Sequence, residues 1–347
     1  MKYIARTIVR MRFVIVILFI GLLALGLNLM PKVVTNYDLS LYLDQNSDTV
    51  IALETMENAF GSAGNAQIMI EGVSMEEAQE LKSRIENIDG IAAVSFDETN
   101  GYHDENALFK IFLKTSNYDV KTFEIVDEIR AELSEQKCSF NGEGIRASYL
   151  QNAVKRDLKI ILAIVAVVII FILLVSSTSW IDPLILVTVL GAAVFINLGL
   201  NAVFPHISFV TRSICIVLQL ALSMDYSIIL LHSFKEQRAK GIAAKEAASN
   251  ALAKTFAPVL ASSLTTVAGL MALAFMRYRI GFDIGVVLTK GVVVSLLSVM
   301  LFMPALLVFF ADAIEATQHK TIGILDKEKF SKGQNKNRFS HFQHKTL

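Results

Sequence analysis

The chain has 347 residues, 54% of them hydrophobic and 18% charged, against about 25% charged in an ordinary soluble domain, so the composition points to a membrane. Lys+Arg and Asp+Glu number 32 each, which excludes the basic excess of a nucleic-acid binder and the charge of an acidic disordered chain. The two cysteines, Cys138 in a polar stretch and Cys215 in an apolar one, exclude a disulfide framework.

A hydrocarbon core of about 30 Å requires about 20 apolar residues per helix, and six windows meet that length. Phe13–Met30 is uncharged and follows Lys2, Arg6, Arg10 and Arg12. Its apolar run is longer than a signal-peptide core and no small-residue cleavage site follows, so residues 1–31 are expected to form the N-terminus and an uncleaved first span. Residues 32–158 are the one large polar block. Within it, Asp48–Phe60 reads as a helix with Ser47 or Asp48 as N-cap, and Ala66–Val73 as a strand. Ser74–Ile88 reads as a helix whose Ser74 and Glu77 have capping-box spacing. Ile91–Phe96 and Ala107–Lys114 read as strands, Asp119–Glu135 as an amphipathic helix and Ser139–Ile145 as a fourth strand. This β-α-β-β-α-β order predicts a ferredoxin-like α+β domain. Gly61-Ser62-Ala63-Gly64 is expected to be a flexible loop, not a phosphate cradle, since no Lys-Ser/Thr follows it.

Residues 159–312 hold five more windows: Ile160–Ile181, Pro183–Phe204, Ser213–Leu231, Phe256–Met276 and Ile284–Ala311. With lipid offering no hydrogen-bond partners, such stretches are helices. The expected fold class is therefore a membrane α-helical bundle of six transmembrane helices, with the α+β domain between helices 1 and 2. The alanine-rich linker at 234–255 reads as a helix lying on the surface. Residues 313–347 are expected to be a cytoplasmic, disordered tail, its stretch Gln318–Leu347 being rich in Lys, Asn, Gln and His. Basic residues precede the first span, fill the linker (Lys235, Arg238, Lys240, Lys245, Lys254) and recur in the tail, all on one side of the membrane. By the positive-inside rule that side is cytoplasmic, with Arg212, Arg277 and Arg279 as exceptions. Both termini are thus expected inside the cell membrane, the α+β domain outside, and Trp180 at the inner interface.

Asp225 is the acidic residue inside these windows. It lies about 12 residues beyond Ser213, roughly 18 Å deep, where a carboxylate costs roughly 2.5–3.5 kcal/mol on insertion scales. Two readings follow: a proton or ion relay, or a structural Asp bonded by a neighbouring helix. Tyr226 beside it offers a hydroxyl to a carboxylate on a facing helix. Lys290 either snorkels to the headgroups or pairs with Asp225. Thr265 and Thr266 either hydrogen-bond Asp225 or serve packing, since Ala261, Thr265 and Gly269 form a four-residue repeat that permits close helix approach. His232, two turns on from Asp225, extends such a relay or marks the helix end. Enzyme readings find no support: there is no H-E-x-x-H, no metal-ligand spacing among the six histidines, no G-x-S-x-G elbow, and no second intramembrane carboxylate for an aspartyl protease. No cofactor or metal is expected.

Topology and motifs together resemble the N-terminal half of a transporter of the resistance-nodulation-division (RND) superfamily, in its MMPL family. Leu220-Ala221-Leu222-Ser223-Met224-Asp225-Tyr226-Ser227-Ile228 is similar to that family's fourth-span Asp-Tyr motif, and His232–Arg238 to its basic inner linker. Ser262–Gly269 resembles its fifth span and Met303–Leu307 the end of its sixth. The resemblance implies proton-motive-force-driven export of lipids, amphiphiles or drugs, with Asp225 and Tyr226 in the relay. Family members usually carry two such halves with facing Asp-Tyr pairs, and the sequence here carries one. The resemblance therefore implies a homodimer or a second transporter half as partner, besides the bilayer and an apolar or amphipathic substrate. The alternative is a non-transporting interaction or lipid-sensing protein, or an inactive half.

Overall fold

Capping and alternation in the sequence account for the first half of the molecule. The computed structural model describes residues 2–60 and 64–317. It opens with α1 (Lys2–Arg10), which buries Ala5 and Val9, and continues through Met11 into α2 (Arg12–Leu29). Beyond Pro31 come β1 (Thr35–Asn36) and α3 (Asp48–Phe60), whose first turn is capped by Ser47, with the Val50 N–H 3.4 Å from the Ser47 hydroxyl.

The polar block contains β2 (Asn65–Glu71), α4 (Met75–Glu86), β3 (Ile91–Phe96), β4 (Tyr102–His103), β5 (Asn106–Leu113), α5 (Val120–Glu132) and β6 (Lys137–Asn141). The main sheet runs β3-β5-β2-β6, each pair antiparallel, with Ile68 opposite both Phe109 and Phe140. Ser74 and Glu77 form the reciprocal capping box the spacing predicts. Alternation along β2 and β5 sends Ala66, Ile68, Ile70, Phe109 and Ile111 into one core with Ala78, Leu81 and Ile85 of α4 and Val126 and Ile129 of α5. The β4–β5 hairpin has no counterpart in the sequence reading. Its two-residue turn, Asp104-Glu105, holds φ of 47° and 60° without the glycine that usually announces such a turn.

The expected fourth strand ends early. β6 stops at Asn141, and Gly142, at φ 104°, turns the chain straight into α6 (Glu143–Ser176), so Ile145 is helical. A Cβ on Gly142 would sit 2.8 Å from the Ala66 Cα, so this corner excludes side chains. The remaining helices are α7 (Ile181–Leu200), α8 (Phe209–Ala239), α9 (Ala244–Ala272), α10 (Ile280–Leu297), α11 (Met303–Phe309) and α12 (Ala311–Ala316), with β7 (Ile207–Ser208) before α8. Six helical segments are long and apolar enough to cross a membrane: α2, α6, α7, α8, α9 and the α10–α11 run. That run is joined by a π-turn at Ser298–Phe302, where Pro304 has no N–H for the Met300 carbonyl and the helix widens.

Two expectations are corrected here. No separate helix occupies 234–255: α8 continues to Ala239, Gly241 at φ 77° makes the turn, and α9 begins at Ala244. Ala247, Ala248, Ala251 and Leu252 of α9 join Ala5 and Val9 of α1 in the bundle core, so this stretch packs instead of lying on a surface. The expected disordered tail is helical where it begins, since α12 runs to Ala316, while Gln318–Leu347 and Gly61–Ala63 lie outside the described residues. At the crossing of α2 and α7 the backbones touch: a Cβ on Gly199 would fall 2.3 Å from the Gly26 Cα.

Candidate functional site

The α8 helix is fixed at both ends. At the domain side, Ser208 caps it by accepting the Val210 N–H (3.2 Å). Asp283 at the head of α10 accepts from the Ser208 N–H (2.9 Å) and the Thr211 hydroxyl (2.6 Å). Nearby Tyr42 is pushed up to about 12, by burial first and by the Asp283 charge second, so it stays a neutral hydroxyl. β1 pairs in parallel with β7 here, tying the chain that leaves α2 to the start of α8. At the opposite side, Lys235 pairs with the fully buried Asp182, which also accepts from the Ser177 hydroxyl at 2.6 Å. Arg238 pairs with Glu315 of α12, and the Trp180 N–H reaches the Thr317 carbonyl.

Between these anchors, one face of α8 is covered and another is open. Ser223, Tyr226, Ser227 and Leu230 are buried, while Ala221, Asp225 and Ile229 are exposed at four-residue steps, the spacing of a single helix face. Asp225 has no hydrogen-bond or ion-pair partner among the described residues. Tyr226, one residue and about 100° further round the helix, points into the core, 3% exposed, its hydroxyl without a partner among the described residues. The structure therefore separates the two residues of the motif onto different faces.

The α9 helix packs antiparallel against α8 and adds its own open face: Ala257, Pro258, Ala261, Ser262, Leu264, Thr265, Ala268 and Gly269 are exposed. Counting outward from the Ala239–Ala244 turn, Asp225 lies about level with Pro258, and Thr265 about 10 Å nearer the domain side. The Thr265 hydroxyl donates to the Ala261 carbonyl (3.0 Å) and that of Thr266 to the Ser262 carbonyl (3.1 Å). Both protons are spent within α9, and only their oxygens remain to accept. His232 is exposed near the end of α8, on the same side as Asp225.

Lys290 sits elsewhere. It donates to the Asn197 carbonyl (3.1 Å) and to the Asn201 side chain, 5.4 Å from the centroid of the Phe204 ring. The Asn197 amide donates to Gln219 (2.8 Å) and to the Cys215 sulfur (3.2 Å), and Gln219 donates to the Ala193 carbonyl (2.9 Å). This buried belt joins α7, α8 and α10, and sequence reasoning missed it. Its signal was present in two amides, Asn197 and Gln219, inside apolar windows, where each requires an internal partner. Asp182 and its pairing with Lys235 were missed for another reason: the two residues flank spans and look like ordinary loop charges.

The sequence profile of the MMPL family matches residues 109–330, more than half of the chain. The chain belongs to the MMPL family. This MMPL chain is 24% identical over 301 residues to YdgH of Bacillus subtilis, covering 82% of this chain and 32% of YdgH. It is 28% identical over 173 residues to ActII-3 of Streptomyces coelicolor, covering 48% of this chain and 24% of ActII-3. Both relatives are named as membrane proteins, and the chain spans no more than a third of their length. Among solved structures, SecDF in its super-membrane-facing form is similar at 18% identity with a TM-score of 0.45, covering 88% of this chain and 38% of that one.

Proposed function

We propose that the chain is one six-span unit of a proton-coupled RND-type transporter that exports an apolar or amphipathic compound, with Asp225 as the group that takes and releases the proton. The observation that carries this reading is the placement of Asp225. A carboxylate deep in an apolar span, without a partner among the described residues, stands on a face where small residues outnumber the large Ile229 and Leu264. Intramembrane carboxylates face a bundle interior or a wet cavity, and small residues permit close helix approach, so the α8–α9 face is read as the surface that meets a second unit. That unit is a second copy or another six-span half, and in a twofold pair Asp225 lies near its symmetry mate. Tyr226, with its free hydroxyl beneath, is assigned to the same relay from the bundle side.

The order of strands and helices in the domain between α2 and α6 supports the ferredoxin-like reading, and the basic residues at the opposite side support cytoplasmic termini in the cell membrane. Asp225→Asn is expected to abolish proton-driven transport in proteoliposomes while leaving insertion and unfolding temperature unchanged. Wild-type transport by that variant overturns the reading.

A further inference from the structure

The chain leaving α2, the domain-side part of α6 and the start of α8 enclose a cleft of about 280 Å³. Three cations line it, Lys155 and Lys159 from α6 and Arg212 from α8, and no carboxylate does. The Arg212 guanidinium donates to the Thr35 hydroxyl. Neither lysine has an ion-pair or hydrogen-bond partner among the described residues. The lysines are one helical turn apart, so their charges converge on a site that holds no negative group of its own.

The cleft's other wall is apolar. Val154, Leu158 and Leu162 recur every four residues along α6 and line the same space. Tyr37 and Phe209 close it, stacked with ring centroids 5.5 Å apart and planes 10° apart. At about 280 Å³ the cleft is smaller than the roughly 300–1,000 Å³ of sites that enclose a whole small ligand, so the rest of any occupant extends outside it. The exposed face that continues below the lysines along α6 is apolar, with Ala163, Ala166 and Ile170 following Lys159 at four-, three- and four-residue steps. Cations at the water boundary above an exposed apolar track match an anionic headgroup above an acyl chain.

We propose that this cleft binds an anionic lipid of the adjacent leaflet, its headgroup on Lys155, Lys159 and Arg212 and one acyl chain along Leu158 and Leu162. The proposal narrows the substrate class of the export reading and rests on it for that role, whereas the binding itself stands on the cleft alone. The cavity of about 380 Å³ among α2, α7 and α11, lined by Phe19, Leu184 and Phe302, has no charge on its walls and gives no such discrimination.

Native mass spectrometry tests this on the detergent-purified chain, titrated with phosphatidylglycerol or with phosphatidylcholine of the same acyl chains. Phosphatidylglycerol is expected to form its adduct at about tenfold lower concentration, equivalent to about 1.4 kcal/mol, and Lys155→Gln/Lys159→Gln to erase the preference. Both lysines are exposed, so the double variant keeps its fold, and an unchanged unfolding temperature verifies that. Asp225→Asn is expected to retain the preference, which separates a failure of binding from a failure of transport. Equal adducts with both lipids overturn the proposal. So does a preference that survives the lysine variant and vanishes on neutralising Lys2, Arg6 and Arg10 of α1. Competition by soluble glycerol phosphate at the same concentration assigns the cleft to a free anion and overturns the lipid.

Discussion

On the flank made by α2 and α6 the exposed side chains are large and apolar, among them Phe13, Ile17, Ile164 and Phe171. On the flank made by α8 and α9 they are mostly small or polar: Ala221, Asp225, Ala261, Ser262, Thr265 and Gly269. Both flanks belong to helices that pass as membrane spans, and few residues of the α6 and α9 windows are buried, 6% and 11%. Mean hydropathy ranks the flanks, 2.8 and 3.4 for the α2 and α6 spans against 2.1 and 1.7 for those of α8 and α9, but does not say what each one meets. In lipid, where apolar contact is available everywhere, the discriminating quantities are side-chain size and polarity, which decide how closely another helix can approach. Under the proposed function the first flank faces acyl chains and the second meets the other unit.

Substitution at glycines gives the largest contrast. Gly199→Leu places its side chain against the backbone of α2, where the first carbon alone would meet Gly26 at 2.3 Å. Backbone cannot rotate away, so the cost exceeds the about 1–3 kcal/mol of ordinary overpacking. The expected outcome is loss of monodisperse protein on extraction, and recovery at wild-type yield contradicts the packed crossing. Gly269→Leu is the opposite case, since no atom lies within 4 Å of its added carbon. Its unfolding free energy is expected to stay within about 0.5 kcal/mol of wild type, while cross-linking between units through the α8–α9 face falls severalfold. Unchanged cross-linking removes that face as the contact. The smallest effect lies off both flanks. The Glu77 carboxyl is held below its usual 4.5, chiefly by the Ser74 backbone N–H. A lowered carboxylate stabilises the fold above its ordinary range and loses that contribution as pH falls through the lowered value. Glu77→Gln should slightly weaken hydrogen-exchange protection of α4 near neutrality, and the difference from wild type should vanish in acid.

Much of this was legible in the sequence. Long apolar runs set the six spans, and alternation with a capping box set the strand and helix order of the domain. What failed did so where a local signal points two ways. Arg146–Lys159 is polar and reads as part of the domain, yet its helical tendency joins it to the apolar run as one helix. Alanines at Ala247, Ala248 and Ala251 read as a surface linker because small side chains tolerate exposure and close packing alike. For the site, the sequence picked out Asp225 by its cost, but it could not show on which face the residue stood. The company of Lys290 depends on Asn197 and Asn201, more than 80 residues away, a pairing that only the fold creates.

The 34-residue helix α6 has no proline and spans about 51 Å at 1.5 Å per residue. Its first turns are built into the domain, with Ile145, Ala147 and Ser148 buried, while little of its membrane length is gripped by neighbours, so domain and helix make one stiff lever. Tilting the extramembrane domain swings that lever, and because Leu158 and Lys159 ride on it, the same stroke opens or narrows the gap to Arg212.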